Sequence, residues 1–135
     1  MTGYSGTPLP AKLGIKEGLT VGIIGEEPPG FALEDLPPAT QIHHRLEPSD
    51  IFLIFATASL AIEELFHLAM KQIPAEGAIW VAWPKKSSGV ATDLTEDTMR
   101  DLFLPTGMVD NKVCAIDETW SGLRFVVRKE NRLDW

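Results

Sequence analysis

The chain has 135 residues, 44% of them hydrophobic and 23% charged, the size and composition of one soluble globular domain. Nineteen acidic residues against twelve basic ones give a formal charge of −7, which argues against nucleic acid as a partner. No apolar run approaches the ~20 residues of a membrane span, and the N-terminus lacks the basic-then-apolar pattern of a secretory signal, so the expectation is a cytoplasmic protein with no membrane partner.

Taken in chain order, Thr7 suits a helix cap, Pro8 the first helical turn and Gly14 the exit of a short helix. Leu19–Ile24 is β-branched, flanked by Gly18 and Gly25, and predicts the first strand. Gly25–Gly30 is a loop, because two prolines and two glycines forbid regular structure. Phe31–Leu36 predicts a short helix stopped by Pro37 and Pro38. Gln41–Leu46 alternates in character and predicts a strand near an edge.

Asp50–Ala56 is almost wholly apolar, the pattern of a central strand covered on both faces. Ser59–Ile73 carries apolar residues at helical spacing. Ala78–Trp83 predicts a second buried strand, with Trp80 and Trp83 on opposite faces. Asp93-Leu-Thr-Glu96 fits a capping pattern for a helix running to about Leu104. Met108–Asp117 and Leu123–Lys129 predict two strands of a hairpin joined by residues 118–122.

Strand–helix alternation of this kind predicts an α/β domain over residues 1–135. The sheet is expected to have about six strands, mainly parallel, with an antiparallel C-terminal edge hairpin and helices on both faces. One conflict stands in this reading. Only residues 47–49 separate two expected strands, whereas parallel neighbours need a long crossover; the first of the two must be antiparallel or very short.

The lone Cys114 excludes an intramolecular disulfide; its apolar neighbours suit a small buried hydrophobe. Charge is uneven along the chain. Residues 1–68 hold three Lys/Arg and nine Asp/Glu, and residues 69–135 hold nine and ten. The positive charge therefore concentrates in the second half, notably at Lys85 and Lys86.

Residues 12–25, Lys-Leu-Gly-Ile-Lys-Glu-Gly-Leu-Thr-Val-Gly-Ile-Ile-Gly, resemble the opening of class I S-adenosylmethionine-dependent methyltransferases. Asp50–Phe55 and Gly77–Trp83 resemble that family's fourth and fifth strands. The resemblance implies a Rossmann-like sheet and makes S-adenosylmethionine a candidate cofactor near Gly25, Glu26 and Gly30. Of the family's Gly-x-Gly-x-Gly loop only Gly25 is present. Glu26 and Glu27 follow it and repel a cofactor carboxylate, so no cofactor is expected there. Roughly forty residues of the family's usual helix–strand repeats are absent. Residues 3–9, 83–89, 92–96 and 109–123 resemble an uncharacterised bacterial family of short proteins, a domain of unknown function.

Two constellations carry candidate chemistry. Lys85, Lys86, Ser87, Ser88 and Gly89 follow a buried strand directly, and such a loop lies at the strand's carboxyl end, where open α/β sheets bind ligands. Ammonium, hydroxyl and backbone N–H donors suit a small anionic molecule, with Asp93 organising the next helix start. The alternative is a solvated turn. Asp117, Glu118, Trp120 and Ser121 form the second set, able to hold a polar ligand or to act as a plain hairpin turn. Leu133 and Trp135 are an apolar pair at the C-terminus that suits a homodimer contact or docking of the tail. The sequence thus points to a ligand-binding or interaction module, with a divergent methyltransferase as the alternative, and names no catalytic residue.

Overall fold

The computed structural model describes residues 7–135. Its centre is a pair of parallel strands in which every residue is buried: β3 (Ile51–Phe55) and β4 (Ala78–Pro84). Strand β1 (Thr20–Gly25) pairs parallel to β3, and β2 (Gln41–His43) pairs parallel to β1. On the other side, β6 (Trp120–Val127) runs antiparallel to β4, and β5 (Met108–Ala115) closes the edge against β6. The sheet order is β2-β1-β3-β4-β6-β5. This is the six-stranded, mainly parallel sheet expected from the sequence, with its antiparallel terminal hairpin.

Strand periodicity divides the apolar residues into two cores. Phe52, Ile54, Ile79, Val81 and Trp83 face α2 (Ser59–Met70) and α3 (Glu96–Phe103). There the Phe66 and Phe103 rings stack at 3.8 Å, and both meet Phe125 edge-on at 5.6 Å. Leu53, Phe55, Trp80 and Ala82 face the other way. That side is covered by α1 (Leu9–Lys12) and by irregular chain carrying Phe31, Leu33 and Leu36. Trp80 is fully buried and its Nε1 donates to the Leu13 carbonyl at 3.0 Å, fastening the α1 segment to the sheet.

The strand conflict resolves by order and by length. β2 and β3 are not neighbours, because β1 lies between them. β2 is only three residues long, and His43 pairs at the level of Gly22 while Ile51 pairs at Val21. The chain therefore returns by about one residue step, and residues 44–50 suffice without a helix.

Other expectations need correction. Phe31–Leu36 is not helical. Asp35 takes a left-handed φ of 59°, and Leu36 precedes proline, which disfavours the α region; Phe31 instead packs edge-on against Phe55 at 5.1 Å. Pro8, not Thr7, occupies the cap position of α1. Thr95, not Asp93, caps α3, its Oγ1 accepting from Thr98 N at 3.1 Å. The hairpin is tighter than expected, with Trp120–Gly122 already in β6 and the turn confined to residues 116–119. At the C-terminus the Trp135 indole donates to the Ile73 carbonyl at 3.1 Å, which docks the tail. No helix among the described residues is long and apolar enough to cross a membrane.

Trp80→Phe removes the buried indole donor and leaves the Leu13 carbonyl unpaired beside a small void. Urea unfolding should show a loss of about 2–4 kcal/mol; a loss under about 0.5 kcal/mol would show that this bond does not hold the α1 segment.

Candidate functional site

Because β1, β3 and β4 are parallel, Gly25, Phe55 and Pro84 end at one rim of the sheet. Trp120 pairs with Pro84, so the 116–119 turn lies at the same rim. The candidate segments at Gly25–Gly30, Lys85–Gly89 and Asp117–Trp120 thus share one edge. The connections diverge between the parallel neighbours β1 and β3, since β1 leads out to β2 on one side and β3 leads to β4 on the other. This is the topological switch point where open α/β sheets place ligands.

The chain's own carboxylates cap that point. Glu26 N donates to the Phe55 carbonyl at 2.7 Å. Glu26 Oε2 accepts from Thr57 N at 2.7 Å and from Thr57 Oγ1 at 3.0 Å. Two residues further along, Asp93 Oδ1 accepts from Ser59 N at 3.0 Å and Asp93 Oδ2 from Ser59 Oγ at 2.8 Å. Asp93 therefore organises the start of α2, not of the helix after the basic loop. Asp93 thus satisfies the first N–H group that α2 leaves open, while Glu26 holds the residue just ahead of the cap position, and both carboxylates lie at the positive end of the helix. Gly25 has a structural reason of its own: its φ is +91°, and a Cβ there would lie 2.1 Å from the Phe55 carbonyl oxygen.

Lys85–Gly89 forms a single 3-10 turn over Lys86–Ser88, left through Gly89 at φ +78°. Lys85 N donates to the Thr119 carbonyl at 2.7 Å, tying this turn to the hairpin. Ser88 Oγ donates to the Lys85 carbonyl at 2.6 Å and accepts from Val90 N at 3.2 Å, so this hydroxyl serves the turn itself. Lys86, Ser87 and Gly89 are exposed. Among the described residues neither Lys85 nor Lys86 forms a salt bridge.

In the second constellation Asp117 Oδ1 accepts from Thr119 N at 2.8 Å and Trp120 N at 2.7 Å, which sets the turn. Trp120 is buried edge-on against Phe55 at 5.1 Å. Glu118 is exposed at the tip. Beside this turn opens a pocket of about 570 Å³, walled by Pro8, Pro28, Pro29 and Ile116, with Glu34, Asp35 and Asp117 supplying its charge. Gly30 and Phe31 also face it. Its volume is that of a small-molecule site. Among the described residues no group of three or more His, Cys, Asp or Glu is placed to hold a metal ion. Cys114 is half-buried, and burial pushes its thiol up despite nearby Lys12 and Lys112, so it is not an activated nucleophile.

Solved structures of similar shape fix the fold class. A S-adenosylmethionine-dependent methyltransferase from Aquifex aeolicus superposes with a TM-score of 0.61 at 13% identity, covering 87% of this chain and 87% of that one. The fold is methyltransferase-like. A TehB-like methyltransferase from Corynebacterium glutamicum gives 0.51 at 8% identity, covering 83% of this chain and 82% of its own. LepI in complex with S-adenosylmethionine gives 0.54 at 12% identity over 95% of this chain. The chain spans about half of LepI's length (49%). No protein-family model and no curated protein sequence matches, so the resemblance to an uncharacterised bacterial family rests on sequence segments alone.

Sequence reasoning missed Thr57 and Ser59, the partners of Glu26 and Asp93. Hydroxyl residues between a buried strand and a helix signal a helix start, but the cap position falls on Ala58 and both hydroxyls donate to carboxylates 31 and 34 residues away. It missed the proline-walled pocket because its walls come from segments far apart in the chain.

Asp93→Ala should cost about 1 kcal/mol of stability by removing the α2 cap, read as a lower urea midpoint with unchanged slope. An unchanged midpoint would show that Asp93 is idle there.

Proposed function

We propose that this chain is a small-molecule-binding module on a methyltransferase-like sheet, and that its ligand sits at the carboxyl rim. One observation carries the reading: the 116–119 turn bonds to Lys85 on one side and lines the 570 Å³ pocket with Ile116 and Asp117 on the other. An anionic group of the ligand meets Lys85 and Lys86, which lack carboxylate partners among the described residues. Its body enters between the prolines, and a donor or cationic end faces Glu34, Asp35 and Asp117. A zwitterionic or amino-acid-like metabolite has this charge order. The module works in the cytoplasm on a free small molecule, without nucleic acid or membrane.

The second reading is methyl transfer, which the fold of the neighbours favours. The residues near Gly25 argue against it. Where the resemblance implies a glycine-rich loop for the cofactor, Glu26 is engaged with Thr57 and adds negative charge facing any cofactor carboxylate. The carboxylate of such a cofactor would meet like charge. Residues here do not fit S-adenosylmethionine in that position.

Both readings are tested by thermal melting and calorimetry. A panel of amino acids and other small zwitterions should yield a binder whose affinity falls at least tenfold in the Lys85→Ala, Lys86→Ala double variant. S-adenosylmethionine at millimolar concentration should leave the melting temperature unchanged. Equal affinity in wild type and double variant removes the basic turn from the site, and a saturable S-adenosylmethionine shift restores the methyltransferase reading.

A further inference from the structure

The opposite rim of the sheet holds a second feature that the fold does not require. At the amino ends of β1, β3 and β4 a pocket of about 370 Å³ is lined by Lys12, Lys16, Lys112 and Arg124, against Asp50 and Glu76. In a chain of net charge −7, four cations around one cavity is a local reversal. One of the two carboxylates is partly spent, since Asp50 Oδ2 accepts from Thr20 N at 2.9 Å.

Arg124 is the cation of this pocket with the least compensation. It sits in β6 on the face that carries Trp80, half-buried beneath Gly14, where a Cβ would lie 3.8 Å from its terminal nitrogen. Its Nε is buried without a hydrogen-bond partner, and its other contact is one long bond of 3.4 Å to Asn111 Oδ1. No carboxylate among the described residues pairs with it. The same chain surrounds Arg100 with Glu96, Asp97 and Asp110. Burial accordingly draws the Arg124 guanidinium below its ordinary range, the mark of a charge removed from water without compensation.

The neighbouring strand adds to the cost. Lys112 lies directly opposite Arg124 across the β5–β6 ladder, and like charges in that relation destabilise a sheet. The pairing is produced by an irregularity: the register shifts between Asp110 and Lys112, so Asn111 bulges and Lys112 takes the place opposite Arg124. Bulges of this kind re-aim side chains and are enriched beside functional sites. The Lys112 ammonium is steadied by the Lys12 carbonyl at 2.9 Å. An uncompensated guanidinium, an ammonium placed opposite it and a cavity between them share one natural complement, a tetrahedral or planar oxyanion.

We propose that this pocket is an oxyanion site for a small phosphate-bearing metabolite, with Arg124 and Lys112 as its principal contacts and Lys16 at its mouth. It is separate from the carboxyl-rim site and does not depend on that reading.

The test uses inorganic phosphate on the full chain, against chloride at matched ionic strength. Wild type should gain about 5 °C in melting temperature at ten times the dissociation constant, with saturable amide shifts at Gly14, Lys16, Lys112 and Arg124. Arg124→Met should melt higher than wild type without phosphate and lose the saturable gain. Should that variant fail to fold, Lys16→Ala with Lys112→Ala, both exposed positions, must weaken phosphate at least tenfold. The Lys85→Ala, Lys86→Ala variant should bind phosphate as wild type does. The proposal is overturned if wild type shows no saturable phosphate effect, if Arg124→Met or the Lys16, Lys112 double variant retains it, or if the Lys85, Lys86 variant abolishes it.

Discussion

Everything in this molecule is arranged around two strands that cannot touch water. β3 and β4 are buried along their whole length, so each face of the sheet must be covered by something apolar. One face is covered conventionally, by two amphipathic helices whose aromatic rings interlock. The other has only a four-residue helix and stretches of irregular chain. A buried indole-to-carbonyl bond from Trp80 to Leu13 ties that thin cover to the middle of the sheet. The irregular cover succeeds because its prolines lower the entropy of the unfolded chain, and because Phe31, Leu33 and Leu36 reach the core without helical order.

The thin cover also shapes what the molecule can bind. Among the described residues no helix or strand extends the sheet beyond β2, and β2 itself is three residues long. The loop after β1 holds glycine only at its ends, Gly25 and Gly30. Glu26 reaches across to the helix start after β3, and Asp93 arrives at the same helix from a distant loop. Carboxylates of the chain take the positions that an anionic ligand would take at a helix N-terminus. The rim stays polar and shaped, but its free cations are displaced to the Lys85–Gly89 turn and its free volume to the proline-walled pocket.

The sheet was legible in the sequence because its signals are local and strong. Asp50–Ala56 and Ala78–Trp83 admit few readings, and the opposed faces of Trp80 and Trp83 follow from strand periodicity alone. The failures share one physical cause, which is that long-range partners decide local roles. Asp93 has the spacing of a cap for α3 yet bonds to Ser59, thirty-four residues away. Phe31–Leu36 has a helix-like composition, but Asp35 turns left-handed and Phe31 is drawn onto Phe55. What stands opposite Arg124 is set by the register of β5, which the sequence does not display.

The two outer strands guard the sheet against its neighbours in different ways. β2 is too short to template a second chain. β5 is long and largely exposed, and a regular edge of that length invites strand-to-strand association between molecules. The irregularity at Asn111 interrupts its hydrogen-bonding row, and the charged residues around it oppose a second edge laid alongside. A change that straightened this strand and neutralised Lys112 would leave the interior intact while opening an edge prone to self-assembly.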